Sequence, residues 1–170
     1  MRAVCLVPIL LAGALLAGCN PTYNWREVAS QNGRFTALFP AKPASFTRRV
    51  DVDGMRVQMT MTAAEVDGAT FAVGTALAPT PMQAQAALPA MRLALLRNIG
   101  AAEAAASPAP SAAPDGVRVE ATGAGKGAPL QLSGRFEARG ARFYQVIVLG
   151  PAGKTPPDQI EQFLTSFASF

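Results

Sequence analysis

The sequence predicts an α+β domain: an antiparallel sheet packed against one helix in mid-chain and a second at the C-terminus. Three observations predict it. Apolar and polar residues alternate on both sides of Asp53-Gly54. Leu88, Met91, Leu95 and Ile99 recur at helical spacing. Ile160, Phe163, Leu164 and Phe167 form a second helical stripe near the end.

The first strand is Trp25-Arg26-Glu27-Val28-Ala29, and Ser30-Gln31-Asn32-Gly33 is a turn. Phe35, Ala37 and Phe39 alternate with Thr36 and Leu38 until Pro40 and Pro43 end the strand. Asp53-Gly54 then joins Arg49–Val52 to Met55–Val66 as a two-residue hairpin loop, because both central residues of a type I′ turn need positive φ. That register puts Val57, Met59, Met61 and Ala63 on one covered face. Arg56, Gln58, Thr60 and Thr62 share the other, with Asp51 opposite Arg56 as a cross-strand ion pair. A further strand covers Thr70 to Ala76.

Thr80-Pro81 reads as an N-cap followed by proline at the first helical position. Pro89 is costly inside a helix, so regular helix is expected from about Pro89, with a looser turn before it and Gly100 as the stop. Residues 101–116 are mostly alanine, proline, serine and glycine and read as a low-complexity surface insertion. Val117 to Ala121 is a short strand and Gly123 to Pro129 a glycine-rich loop. Leu130 to Arg139 alternates, and Phe143 to Leu149 is apolar enough for a central strand covered on both faces. A two-residue loop between these strands would set Arg139 against Arg142, which favours a three-residue loop with a bulge. Thr155-Pro156-Pro157-Asp158 resembles a capping box opening the last helix.

The first residues carry a different message. Met1-Arg2 is a short positive start, and Ala3 to Ala17 is almost wholly apolar. That run is a secretory leader, too short for a bilayer span of ~20 apolar residues. It closes on Leu16-Ala17-Gly18-Cys19, which resembles the lipobox of bacterial lipoproteins. The resemblance implies a signal peptide over residues 1–18, cleavage between Gly18 and Cys19, diacylglycerol on the Cys19 sulfur and acylation of the new amino terminus. Several acyl chains anchor stably where one binds marginally. Asn20 replaces the aspartate of the family's best-known inner-membrane retention signal, which favours the outer membrane. Residues 19–24 form the lipidated terminus and tether; Asn20 to Asn24 reaches only roughly 17 Å at ~3.4 Å per residue. Tyr23 and Trp25 either sit at the lipid interface or, the favoured reading for Trp25, pack into the core.

Residues 25–170 suffice for a single domain with a real core. The net charge of +4 comes from scattered arginines, one of them in the leader. Nucleic-acid binders cluster such charge, so nucleic acid is not an expected partner. Cys5 leaves with the leader and Cys19 becomes a thioether; the chain has no histidine. Ser-His-Asp and Cys-His catalysis and Cys/His zinc sites are thereby removed. Gly123-Ala124-Gly125-Lys126-Gly127 lacks the early glycine and the Ser/Thr of a phosphate loop, and Ala128 breaks a dinucleotide pattern, so no cofactor is expected. Met55, Met59, Met61 and Met91 are core residues. The carboxylate pairs Asp51/Asp53 and Glu65/Asp67 flank turns and read as turn chemistry. Arg48, Arg49 and Arg56 on one hairpin form a candidate basic surface for an anionic envelope ligand. Arg135, Arg139 and Arg142 on another would extend it if the two edges meet.

The frame of Gly33-Arg34-Phe35…Phe39-Pro40-Ala41-Lys42-Pro43, Arg142-Phe143-Tyr144-Gln145-Val146 and Phe163-Leu164-Thr165-Ser166-Phe167 resembles the PsbP/Mog-type fold, shared by a photosystem II extrinsic subunit and a Ran-binding protein. The resemblance spans about residues 25–170. It implies a sandwich used for docking and carries over no catalytic residue; the 101–116 insertion departs from it. The function expected is that of a non-enzymatic, membrane-anchored docking or assembly module in the envelope, with its domain in the periplasm. An envelope protein or anionic glycan is the expected partner. A small-ligand or lipid carrier and a carboxylate-dependent envelope enzyme are the alternatives. Intact-mass analysis of native material is expected to find a polypeptide starting at Cys19 that carries diacylglycerol on its sulfur and an acyl chain on its amino group; an unmodified chain beginning at Met1 refutes the anchor.

Overall fold

The structure, a computed structural model, describes residues 21–102, 116–125 and 127–170. Gly18, Cys19 and most of the 101–116 insertion lie outside them. The elements run β1 Arg26–Ser30, β2 Phe35–Phe39, β3 Ala44–Val52, β4 Met55–Val66, β5 Ala69–Leu77, α1 Pro81–Asn98, β6 Val117–Gly123, β7 Leu130–Arg139, β8 Arg142–Pro151, α2 Pro157–Ser166 and β9 Ala168–Ser169. A six-stranded sheet has the order β3-β4-β5-β8-β7-β6, and a three-stranded sheet the order β1-β2-β9; every pairing is antiparallel. The fold is the expected α+β arrangement, in three layers.

Burial on both sides of the large sheet organises those layers. In β8 the residues from Phe143 to Val148 are all buried. Phe143 and Ile147 face α1, where they join Leu88, Met91, Leu96, Val119, Leu132 and Phe136. Tyr144, Val146 and Val148 face the other way, with Phe71 of β5, Phe39 of β2, Phe163 of α2 and Phe167 just after it. Phe163 meets Phe39 and Phe71 edge-on at 5.3 and 5.4 Å between ring centroids, a geometry that adds to simple area burial.

Turn chemistry sets the register. Asp53 and Gly54 have φ of 51° and 83°, Val52 faces Met55 and Asp51 faces Arg56, as expected. No ion pair joins Asp51 and Arg56, however: the carboxylate instead accepts from the Gly54 amide at 2.6 Å and closes the turn. Asp67-Gly68 makes a second turn of the same kind between β4 and β5. β3 begins at Ala44, before the expected Arg49. Hydroxyl bonds Ser45–Thr62 and Thr47–Thr60, both 2.8 Å, carry its pairing where apolar alternation is weak.

Four local expectations are corrected. The helix α1 is regular from Pro81, capped by Thr80, whose hydroxyl accepts from the Gln83 amide at 3.2 Å. Pro89 lies within it; Pro89 and Gln85, whose carbonyl loses its partner, are exposed and open to water. Leu96 is buried while Leu95 is only partly so. The β7–β8 loop has two residues, with Gly140 at φ 57° and Arg139 directly opposite Arg142. Each guanidinium is drawn elsewhere, Arg139 to the Ser169 carbonyl at 2.8 Å and Arg142 to the Thr75 hydroxyl at 3.4 Å. Finally, Pro156 rather than Thr155 occupies the N-cap of α2, with no side-chain cap; its carbonyl accepts from the Gln159 and Ile160 amides.

The strand β6 runs on to Gly123 because only glycine fits there. A Cβ at position 123 would lie 2.0 Å from the Ile99 carbonyl oxygen. On the opposite face of β6, Arg118 pairs with Glu161 of α2. Its hydrogen bond, ahead of the simple charge attraction, holds the Glu161 carboxyl below its usual range against the opposing effect of burial.

Gly123→Ala is expected to lower stability by about 1–3 kcal/mol, read from urea unfolding, because α1 must shift to admit the methyl. A depressed folded-state pKa means that Glu161 contributes stability above the ordinary carboxylate range and loses it as pH falls through the folded value. NMR titration should show Glu161 returning to an ordinary carboxylate midpoint in Arg118→Gln, with a stability change below about 1 kcal/mol for so exposed a pair.

Candidate functional site

The chain enters the domain at one end of the large sheet. The Asn24 amide donates to the Pro40 carbonyl at 2.7 Å. Tyr23 stacks on Trp25 at 6.2 Å, and both meet the Phe71 ring edge-on. Trp25 also donates its indole N–H to Gln159 Oε1 at 3.1 Å. Burial, then the charges of Asp67 and Asp158, push the Tyr23 phenol above its ordinary range. The entry point is therefore beside the β4–β5 turn and the start of α2, with Trp25 packed against the core.

The opposite end of the sheet is basic. The ten residues of β8 carry the chain roughly 30 Å, at ~3.3 Å per residue, from Pro151 near the entry to Arg142. There a cavity of about 290 Å³ is lined by Arg34, Arg139, Arg142, Tyr144 and Phe170. Arg34 comes from the β1–β2 loop, where it holds φ of 53°, a conformation uncommon outside glycine. Its Nε donates to the Phe170 main-chain oxygen at 2.9 Å and its guanidinium lies 5.7 Å from the Phe170 ring centroid. The Tyr144 hydroxyl donates to the Arg34 carbonyl at 3.1 Å. Burial raises the Tyr144 phenol, with Arg142 the leading opposing influence.

Arg48, Arg49 and Arg56 do not assemble into one surface. Neighbours along β3 point to opposite faces. Arg48 falls on the α1 side, while Arg49 and Arg56, opposite Gln58 and Asp51, fall on the other. The two basic hairpins are separated in the sheet by β5. Arg135 is committed to Glu137 at 2.6 Å. Of the sequence-expected arginines, Arg139 and Arg142 share the distal cavity; Arg34, part of the Gly33-Arg34-Phe35 frame in the sequence, joins them. Its signal was faint: an arginine where Gly33-Arg34 closes a turn.

Arg48 instead lines a groove of about 660 Å³ between α1 and the β3–β4 hairpin. Val50, Met59, Met91 and Leu95 supply apolar wall, and Asp51, Asp53 and Arg97 supply charge. The buried Gln145 also borders it and donates its amide to Met61 Sδ at 3.4 Å.

The glycine-rich loop sits at the wrong end of a helix for phosphate. The Gly125 amide donates to the Ile99 carbonyl at 3.1 Å, at the C-terminus of α1, where the helix dipole is negative. Among the described acidic residues only Glu137 is buried, and its oxygens are taken by Arg135 and Ser169. No group of three His, Cys, Asp or Glu side chains suited to a metal ion occurs among the described residues.

No protein-family profile matches the chain, and no curated protein does. Among solved structures, a protein of Bacteroides thetaiotaomicron is similar, with a TM-score of 0.50 at 12% sequence identity over 85% of this chain. The match spans 48% of the Bacteroides chain, about half its length. At that identity the similarity concerns the fold.

Proposed function

We propose that the protein is a non-enzymatic envelope lipoprotein, a docking module held at the membrane by lipidated Cys19 with its domain in the periplasm. The single observation that carries this reading is the polarity of the fold: the chain enters at one end of the large sheet, while Arg34, Arg139 and Arg142 line a cavity at the other. A domain tethered at the first end presents the second away from the lipid surface. The short tether keeps the whole domain close to the bilayer, and Asn20 favours the outer membrane. The lipobox and the PsbP/Mog-like frame are consistent with such a module. The partner that suits the distal end is an envelope protein with an acidic surface, or an anionic glycan.

A second reading, a carrier of a small ligand or lipid, draws on the partly apolar groove between α1 and the β3–β4 hairpin. Pockets of this size hold small organic ligands.

In-cell crosslinking of the full-length chain is expected to capture a reproducible partner that Arg139→Glu/Arg142→Glu loses while remaining in the membrane fraction. Equal recovery of bulk envelope protein by both overturns the docking reading. A rise in melting temperature with a lipid extract, abolished by filling the groove with Ala90→Trp, selects the carrier reading.

A further inference from the structure

Two like charges stand opposite each other at the β7–β8 turn. The two-residue loop leaves Arg139 and Arg142 as a directly paired position, and like charges so placed destabilise a hairpin. Arg34 adds a third guanidinium to the same cavity. No side-chain carboxylate forms an ion pair with any of the three among the described residues. Their hydrogen bonds go to the main-chain oxygens of Phe170 and Ser169 and to the Thr75 hydroxyl. Each guanidinium carries five N–H donors, more than these bonds use. Ser169 and Thr75 draw Arg139 and Arg142 apart; a bound anion would offset the positive charge that the three guanidinium groups still bring to this cavity.

Arg142 also lines a second depression, of about 400 Å³, between the β1–β2 loop and the face of β3, β4 and β5. Its walls are rich in hydroxyl and amide groups: Asn32, Ser45, Gln58, Thr60, Thr62 and Thr75. Thr62 and Thr75 are buried, at 6% and 3% exposure, on a sheet face that elsewhere carries valine and phenylalanine. Leu77 adds an exposed apolar side to this wall; its hydroxyl and amide groups suit a hydroxyl-bearing molecule, whose own polar groups need partners where water is displaced.

We propose that these two depressions form one binding site for an anionic saccharide, its phosphate or carboxylate held by Arg34, Arg139 and Arg142 and its hydroxyls by the threonine-lined cleft. Guanidinium forks match either anion in bidentate fashion. The inference rests on the docking reading for taking this end as the one that meets a ligand, and it specifies the ligand's class.

Calorimetry on the full-length chain in detergent micelles tests it, with glucose 6-phosphate, glucuronate, inorganic phosphate and glucose as probes. The expected order places glucose 6-phosphate or glucuronate at least about tenfold tighter than glucose and tighter than inorganic phosphate. Preference between the first two tells a sugar phosphate from the uronate of a glycan. Arg142→Gln, and the more exposed Arg139→Gln, should each weaken the anionic sugar about tenfold, and Arg142→Lys less. Thr60→Val should weaken the sugar without changing inorganic phosphate. Equal binding of inorganic phosphate and the anionic sugars overturns the inference, as does undiminished binding by a folded Arg139→Gln. Sugar binding without a crosslinked partner in cells would leave this site standing and remove the docking reading; the converse result would do the reverse.

Discussion

The rest of the structure depends on burying both faces of one strand. β8 lies between β5 and β7 and is apolar on both sides. A sheet containing such a strand cannot leave either face in water at ~25 cal/mol per Å² of apolar surface. One helix covers the first face. The second is covered by α2 together with the three-stranded sheet, and their joint contribution is a cluster of phenylalanine rings. The last strand, β9, is only two residues long. Arg139, Arg34 and Glu137 nevertheless hold its end down through the Ser169 carbonyl, the Phe170 main-chain oxygen and the Ser169 hydroxyl.

That covering is uneven, and the unevenness makes the candidate sites. α1 packs on β6, β7 and β8 and barely reaches β3, so a groove opens beside the β3–β4 hairpin. The second layer stops short of the same hairpin on the other face, where the exposed side of β4 turns to threonine and glutamine. Polar residues stand where the cover ends. The distal arginines follow the same logic, since strand ends and turns are where charge costs least desolvation.

The glycines of β6 and its following loop have a mechanical explanation. Gly123 allows the backbone to pass under the last turn of α1, and Gly125 supplies an amide to a carbonyl left over there. Gly100, at φ 68°, closes that turn with the Ala101 amide on the Leu96 carbonyl at 2.9 Å and its own amide on Arg97 at 3.1 Å. A loop spent on a helix C-terminus is electrostatically unsuited to phosphate.

By itself the sequence determined the local elements: the Asp53-Gly54 turn and its register, the span of β7, the doubly buried β8, the stripe of α2 and the Thr80 cap of α1. Each follows from interactions within a few residues, and periodicity and turn chemistry report those directly. Tertiary structure alone decided what depends on distant partners. Pro89 stays inside α1 because the cap before it and the sheet beneath it hold both halves. The close pairing of Arg139 with Arg142 is tolerated because Ser169 and Thr75, far away in sequence, draw them apart. Arg48, Arg49 and Arg56 were scattered by the pleat, while Arg34 was carried some hundred residues along the chain to join Arg139 and Arg142. No local pattern encodes which side chains meet across a sheet end, since that is set by how the layers stack.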